Sequence, residues 1–240
     1  MEKLQTTLRS LRLSGLASAL PSRYAMAKTQ EIDYLAFLEV LVEDEMAKRK
    51  DTLLSRRIKL AQFPFLATLD DFNFAFNPEI QKRSIQELAS SRFVHQNESA
   101  LLIGPPGTGK THIAIALGML AIENGYTVFY RSAFDLVEEM QEAFRTDTRK
   151  KYVHGLTRHQ LLIVDELGMK KKPPNAADDL LEVIHRRYGN SATLIATNRP
   201  VEDWGKILGD TAATSAILDR FLQQGADPPL QRQKLPPEPA

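Results

Sequence analysis

Residues 104–111 read GPPGTGKT, which matches the pattern GxxxxGK[ST] at every fixed position. The stretch follows the apolar residues 100–103 and precedes a helical pattern at 110–123, so it joins a strand to a helix. Glycines permit unusual backbone dihedrals there, and successive amide N–H groups converge on an anion at the positive end of the helix. The sequence therefore predicts a phosphate-binding loop, or P-loop.

The side chains of this loop suit ATP with Mg²⁺. Lys110 supplies a point charge for the β and γ phosphates, and the Thr111 hydroxyl is placed to ligate Mg²⁺. A glycine-rich turn without a ligand is the structural alternative, which the complete motif in its strand–helix context disfavours. The predicted cofactor-binding residues are Gly104, Pro105, Pro106, Gly107, Thr108, Gly109, Lys110, Thr111 and His112.

A second apolar strand pattern, at residues 161–164, ends in Asp165 and Glu166. Ligands of open α/β sheets bind at the carboxyl ends of the strands. We expect Asp165 to hold Mg²⁺, directly or through water, and Glu166 to polarise the attacking water as a base. Charged residues often end strands, so the pair alone is a weak signal of function. Its position about 50 residues after the P-loop strengthens the assignment.

Two further residues are candidates for the reaction. Asn198 follows a third apolar strand pattern at 193–197 and is placed to orient the hydrolytic water; as part of Asn-Arg-Pro it is also a good turn former. Arg220 is either an arginine finger that reaches the γ-phosphate of an adjacent subunit or an ordinary helical arginine that is solvated or paired with Asp219.

Residues 1–62 predict a small helical N-terminal domain, because Leu4, Leu8 and Leu11 recur close to helical spacing. Pro21 is predicted to end the first helix. This domain is either a three-helix unit or an arm exchanged between subunits.

Residues 63–99 are interpreted as a linker followed by the first helix of the core. The linker contains five Phe between 63 and 77, which either bury their rings in a neighbouring core or form an edge strand. Residues 100–224 alternate strands with helices, among them 110–123 and 133–145, which predicts an α/β fold with a parallel sheet covered on both faces. The Pro-rich residues 225–240 are predicted to be disordered.

Composition limits the other functions of the chain. The 240 residues carry a net charge of +1, so contact with nucleic acid must be local. The absence of cysteine excludes disulfides and fits the cytoplasmic location that we expect, and no run of about 18 apolar residues is present to span a membrane. Five basic residues between 145 and 159 form either a DNA-binding surface or a solvated loop: Arg145, Arg149, Lys150, Lys151 and Arg158.

Four motifs, GPPGTGKTH, LLIVDE, TLIATN and ILDRF, occur in this order and together resemble the AAA+ clade that holds IstB and the DnaC-type helicase loaders. Over residues 1–222 the chain is most similar to the IstB family. The resemblance implies an αβα AAA+ core in which the strand before Asn198 lies between the P-loop strand and the strand of Asp165. It also implies N-terminal helices that assist assembly and DNA engagement, and a nucleotide between subunits that Arg220 contacts in trans.

The resemblance further implies an ATPase that forms ATP-dependent homo-oligomers on duplex DNA with little sequence preference and stimulates a partner transposase. Two alternatives stay open, a DnaC-like helicase loader and a nucleotide-binding DNA scaffold with little hydrolysis. One departure concerns the basic sensor II residue of the family, because Arg232 and Lys234 lie in a Pro-rich setting that does not match its pattern.

Overall fold

The computed structural model describes residues 1–75, 80–167, 176–200, 203–204, 215 and 233–234. The chain separates into two compact units, Met1–Arg56 and Arg57–Ala240. In the described part of the chain, no helix is both long enough and apolar enough to cross a membrane.

The first unit is built from α1 (Glu2–Ser10), α2 (Ser14–Gln30) and most of α3 (Tyr34–Ala61). Buried Glu45 of α3 accepts hydrogen bonds from the amides of Gly15 (2.7 Å) and Leu16 (3.0 Å) at the start of α2, and from Arg49 Nε (2.7 Å). Unpaired amides at a helix start attract a negative charge. The Arg49 hydrogen bond, followed by those of the two amides, lowers the pKa of Glu45.

The first helix does not end at Pro21, so that sequence-based prediction is wrong. The break lies at residues 11–13, where Arg12 has a φ of 60°, and Pro21 lies inside α2. Proline lacks the N–H that would bond to the carbonyl four residues earlier, here that of Ala17. The side-chain amide of Gln5 donates to this carbonyl instead (2.9 Å), which compensates for the missing bond.

The second unit contains a parallel sheet of five strands in the order β2-β3-β4-β1-β5. The strands are β1 (Ala100–Ile103), β2 (Val128–Ser132), β3 (Leu161–Leu167), β4 (Ala192–Thr197) and β5 (Gln233–Lys234). The α/β fold with a parallel sheet is confirmed, and so is the position of β4 between β1 and β3. Continuous burial along β1 and β4 fits a sheet covered on both faces.

The helices of the second unit cover the two faces of the sheet. On one face, Gly118 of α6 lies close to the side chain of Ile163. On the other, α7, α8 and α9 pack over Leu162 and Val164. The helices are α4 (Lys82–Ala89), α5 (Arg92–His95), α6 (Lys110–Glu123), α7 (Ala133–Arg145), α8 (Arg149–Thr157) and α9 (Ala176–Arg187). The predicted helices 110–123 and 133–145 are confirmed.

Two segments differ from the sequence-based interpretation. Residues 149–157, which we interpreted without regular structure, form helix α8. The prediction of a disordered tail is wrong for Gln233–Lys234, which pair with Leu102 and Ile103 of β1. A sheet edge presents unpaired backbone groups that such a segment can satisfy. Arg220 lies outside the described residues, although Ser215 is described as helical.

Candidate nucleotide-binding site

The loop between β1 and α6 has the backbone shape that its glycines permit. Gly107 and Gly109 both have a φ of 80°, in the left-handed region that glycine adopts without strain. The Gly104 amide donates to the Thr197 carbonyl at the end of β4 (3.2 Å), which fixes the start of the loop. The loop ends at Lys110, where α6 begins, so the amides of the first helical turn face the position expected for an anion.

Lys110 is almost fully buried within its own loop. Its Nζ donates to the Pro105 carbonyl (2.6 Å) and to the Thr108 hydroxyl (3.3 Å), and that hydroxyl donates to the same carbonyl (2.9 Å). Burial lowers the pKa of Lys110, and the negative charge of Asp165 partly opposes this shift. The ammonium group is therefore held at the loop and senses the carboxylate at the end of β3.

The Phe-rich linker lies against the P-loop and forms no strand in its described residues. The Phe72 ring touches Gly109 so closely that a Cβ built on Gly109 would lie 2.5 Å from Cε2 of the ring. Phe72 also contacts the rings of Phe74 (centroids 4.8 Å apart) and His112 (5.5 Å). His112 Nε2 lies 2.9 Å from the Thr68 carbonyl, and since a carbonyl only accepts, Nε2 carries the proton. The His112 side chain thus ties α6 to the linker.

Asp165 is buried at the carboxyl end of β3 with both carboxylate oxygens hydrogen-bonded. Oδ2 accepts from the Tyr130 hydroxyl (2.9 Å) and Oδ1 accepts from the Glu166 amide (2.7 Å). Glu166 has a φ of 57° beside an irregularity in the β3–β4 pairing, and its side chain is exposed. Sequence reasoning missed Tyr130, because only strand register reveals that β2 lies beside β3 with Ser132 opposite Asp165.

Asn198 directly follows β4, the strand between those of the P-loop and Asp165, and is partly buried there. The preceding Thr197 is fully buried; its hydroxyl donates to the Leu167 carbonyl (2.6 Å) and accepts from the Arg199 amide (3.1 Å). Thr197 therefore joins the ends of β3 and β4 and shapes the turn that carries Asn198. Strand pairing brings Asn198 to the same edge of the sheet as the P-loop and Asp165.

The residues at this edge fit a magnesium ion that arrives with phosphates. Asp165 supplies carboxylate oxygens, and Thr111, the second residue of α6, supplies a hydroxyl. Mg²⁺ prefers such oxygen ligands and is often held by one or two carboxylates together with substrate phosphates. Within the described ranges, no group of three or more His, Cys, Asp and Glu is arranged to hold a metal.

The five basic residues predicted to contact DNA fall into two groups. Lys150, Lys151 and Arg158 are exposed, and exposed Arg145 forms an ion pair with Glu142 (3.0 Å). Arg149 is partly buried instead.

Arg149 forms ion pairs with Asp179 (2.8 Å) and Glu182 (2.5 Å) of α9. The Glu182 hydrogen bond is the main cause of the raised pKa of Arg149. Arg149 therefore joins α8 to α9, a structural role that competes with DNA contact.

Sequence reasoning also missed Phe144, whose side chain is 71% exposed beside Arg145; the apolar pattern of α7 alone does not reveal this exposure.

The strand order and the P-loop between β1 and α6 define a P-loop nucleotide-binding protein of the AAA+ class. Residues 6–229 match the family described as "IstB-like ATP binding protein". The chain belongs to this family.

Relatives from insertion sequences cover most of the chain. The ATP-binding protein named for insertion sequence IS5376 of Geobacillus stearothermophilus is 35% identical over 92% of this chain and 88% of its own length. The one named for IS21 of Pseudomonas aeruginosa is 32% identical over 92% of this chain and 84% of its own.

Solved structures share the fold at lower identity. The DnaC helicase loader matches with a TM-score of 0.55 and 21% identity over 71% of this chain and 96% of that chain. The replication initiator DnaA bound to AMPPCP and single-stranded DNA matches with a TM-score of 0.55 and 21% identity over 65% of this chain. The match spans about half of that DnaA chain (47%). These structures support the AAA+ fold and no more.

Proposed function

We propose that this protein is an ATP-dependent DNA-binding ATPase that helps transposition. It assembles with ATP on target duplex DNA and stimulates a partner transposase. Membership of the family, and relatives named as ATP-binding proteins of insertion sequences, support this setting. The observation that carries the proposal is the juxtaposition of Lys110, buried in the P-loop, with Asp165 at the end of β3, which matches the needs of a triphosphate with a divalent cation.

Hydrolysis is assigned to residues around the γ-phosphate. Bound Mg²⁺ supplies charge neutralisation at the β and γ phosphates. Lys110 binds the same phosphates, and Asp165 with Thr111 holds the cation. Glu166, exposed beside Asp165, polarises the attacking water as general base, and Asn198 orients that water. Arg220, which lies outside the described residues, is proposed to reach the nucleotide of the adjacent subunit as an arginine finger.

Helix α3 supports assembly with a second copy of the chain. Its exposed apolar side chains follow helical spacing along one stripe: Leu35, Leu38, Val42, Met46, Leu53 and Leu60. Its charges are segregated, since residues 34–47 carry four acidic and no basic side chains, whereas 48–61 carry six basic and one acidic.

An antiparallel pair of α3 helices complements both patterns. A two-fold axis between residues 47 and 48 sets Leu35 against Leu60 and Val42 against Leu53 of the other copy, and places Glu39 opposite Arg56. Apolar side chains are then covered, and unlike charges face each other. We propose that this contact between two α3 helices joins two copies of the chain. The interface that holds the nucleotide between subunits then extends the assembly.

DNA contact is assigned to the exposed basic residues of α8 and its flanks. We propose that four exposed side chains contact DNA phosphates, which gives binding with little sequence preference and strong salt dependence: Arg145, Lys150, Lys151 and Arg158. Exposed Phe144 adds an apolar surface beside them. Arg149 contributes by holding α8 against α9.

The decisive experiment compares Lys110→Ala, Glu166→Gln and, as a control, Arg83→Ala, whose side chain is 92% exposed on α4. Binding to a fluorescent duplex and ATP turnover are measured with and without ATP and Mg²⁺. We expect Lys110→Ala to lose the ATP-dependent part of DNA binding. Glu166→Gln is expected to keep that part and to lose about 10²–10⁴-fold in turnover. Unchanged ATP-dependent DNA binding in Lys110→Ala would contradict the proposal.

One alternative is a helicase loader, because the DnaC helicase loader shares the fold of this chain. Capture of a purified transposase encoded beside this chain, with no capture of a replicative helicase, is expected from our proposal, and the reverse result supports the loader.

The remaining alternative is a DNA scaffold that binds nucleotide but hydrolyses little. A slow turnover that Glu166→Gln leaves unchanged supports the scaffold.

A further inference from the structure

Tyr130 of β2 is a buried tyrosine whose hydroxyl touches the candidate site. The oxygen donates to Asp165 Oδ2 at 2.9 Å, while the Glu166 amide occupies Oδ1. Both oxygens of the Asp165 carboxylate are therefore restrained. Tyr130 of the neighbouring strand holds one oxygen, and Glu166, the next residue in the chain, holds the other.

The sheet holds Tyr130 in place. Its backbone pairs with Ile163, two residues before Asp165, and its ring packs edge-on against Phe63 of the linker with centroids 6.2 Å apart. The side chain is 8% exposed.

We infer that Tyr130 is a positioning residue that fixes the Asp165 carboxylate in one orientation towards the divalent cation that accompanies the nucleotide. The inference rests on the proposed function. Outer partners of metal-ligating carboxylates orient the ligand, and their loss typically costs about 10- to 100-fold in metal affinity. A hydroxyl that serves stability alone lacks this effect, so the affinity for the cation separates the two roles.

Tyr152 of α8 provides a matched control. Its hydroxyl also donates to a carboxylate, that of Glu139, at 2.6 Å. Tyr152→Phe therefore removes an equivalent hydrogen bond from the second unit without touching Asp165.

The experiment follows binding of a fluorescent N-methylanthraniloyl ATP analogue to the full chain, in EDTA and across a titration of free Mg²⁺. We expect Tyr130→Phe to bind the analogue like the wild type in EDTA but to need about 10- to 100-fold more Mg²⁺ at the midpoint. Tyr152→Phe keeps the wild-type midpoint. In an Asp165→Asn background, adding Tyr130→Phe shifts the midpoint no further, since Tyr130 acts through that carboxylate.

A wild-type Mg²⁺ midpoint in folded Tyr130→Phe overturns the role of Tyr130 and leaves the proposed function standing. Equal shifts in Tyr130→Phe and Tyr152→Phe also overturn it, because they indicate general loosening. A wild-type chain that takes up no nucleotide with Mg²⁺ overturns both proposals. Thermal unfolding of each variant, measured without nucleotide, confirms that folded proteins are compared. Should Tyr130→Phe unfold, Tyr130→Leu, which also lacks the hydroxyl donor, replaces it, and its Mn²⁺ binding is measured by electron paramagnetic resonance. A wild-type affinity for Mn²⁺ in that variant overturns the assignment.

Discussion

The Phe72 ring fills the space beside the Gly109 α-carbon, where a side chain on residue 109 would begin. A Cβ there would stand 2.5 Å from the ring, well inside van der Waals contact. The absence of a side chain at Gly109 thus serves two purposes, since it permits the left-handed backbone and admits an aromatic ring from the linker. The linker and the P-loop are fitted to each other.

Replacement of Phe72 by Ala is expected to weaken ATP binding by about 2- to 12-fold, equivalent to about 0.5–1.5 kcal/mol for one aromatic contact. The physical reason is that the ring packs against Gly109 and supports the turn of the P-loop. The Kd of a fluorescent ATP analogue measures the effect. Phe65→Ala, on an exposed ring of the same linker, is the control. Equal losses in both variants would argue against a specific role for Phe72.

A charge exchange on α3 tests the antiparallel pairing of two copies. Glu39→Arg or Arg56→Glu alone places like charges opposite each other, and we expect either to weaken self-association roughly tenfold. The double variant restores opposite charges and is expected to recover the wild-type constant. Sedimentation equilibrium without nucleotide measures it. Additive losses in the double variant would rule out this register.

Glu45→Gln is expected to destabilise the helical unit by about 1–3 kcal/mol at pH 7, because the charge that accepts the Gly15 and Leu16 amides is lost. The folded pKa of Glu45 is lowered from 4.5, so its stabilisation is complete above pH 4.5 and declines as the pH falls through the folded pKa. Unfolding followed by circular dichroism between pH 3 and 7 measures this dependence. Exposed Glu43→Gln is the control, and equal pH profiles in the two variants would contradict the assignment.

Arg187 is buried with no carboxylate partner among the described residues, and it serves four acceptors instead. Its guanidinium donates to the carbonyls of Leu156, His159 and Ala192 and to the Thr193 hydroxyl. Arg187→Lys cannot serve all four, so we expect a loss of about 3 kcal/mol or more in the free energy of unfolding. Urea denaturation measures it. A variant at the exposed neighbour, Arg186→Lys, is expected to stay within about 0.5 kcal/mol.

The two exposed lysines of α8 are expected to contribute to DNA affinity without affecting stability. Lys150→Ala with Lys151→Ala should reduce the slope of log K against log salt by about 2, since each phosphate contact contributes about 0.9. Arg149→Ala should lower the melting temperature, because Asp179 and Glu182 lose their partner. Fluorescence anisotropy across a salt series and thermal unfolding give the two readouts. An unchanged salt slope in the double lysine variant would place the DNA surface elsewhere.

The sequence allowed the sheet and the P-loop to be predicted because their signals are local. A glycine pattern between an apolar strand and a helix carries its own geometry, which is why the helix that begins at Lys110 was placed correctly. The apolar run at 161–164 was likewise a local signal for β3, although the strand continues through Asp165 to Leu167.

Features that depend on distant pairs could not be predicted in this way. The contact of Tyr130 with Asp165 requires the register of two strands, and that of Glu45 with Gly15 requires the packing of two helices. The partners of Arg149 lie on α9, so charge counting alone did not separate it from Lys150. The position of Pro21 inside α2 depends on a side chain from α1.

The replacement hydrogen bond from Gln5 to the carbonyl left open by Pro21 links two positions that share no local motif. Substitution of Gln5 is harmful only while residue 21 is proline, because any other residue there supplies its own amide to the helix. The two sites are therefore epistatic. A chain with another residue at position 21 no longer needs a donor at position 5, whereas a chain that keeps the proline needs a side chain there that can donate from the same place.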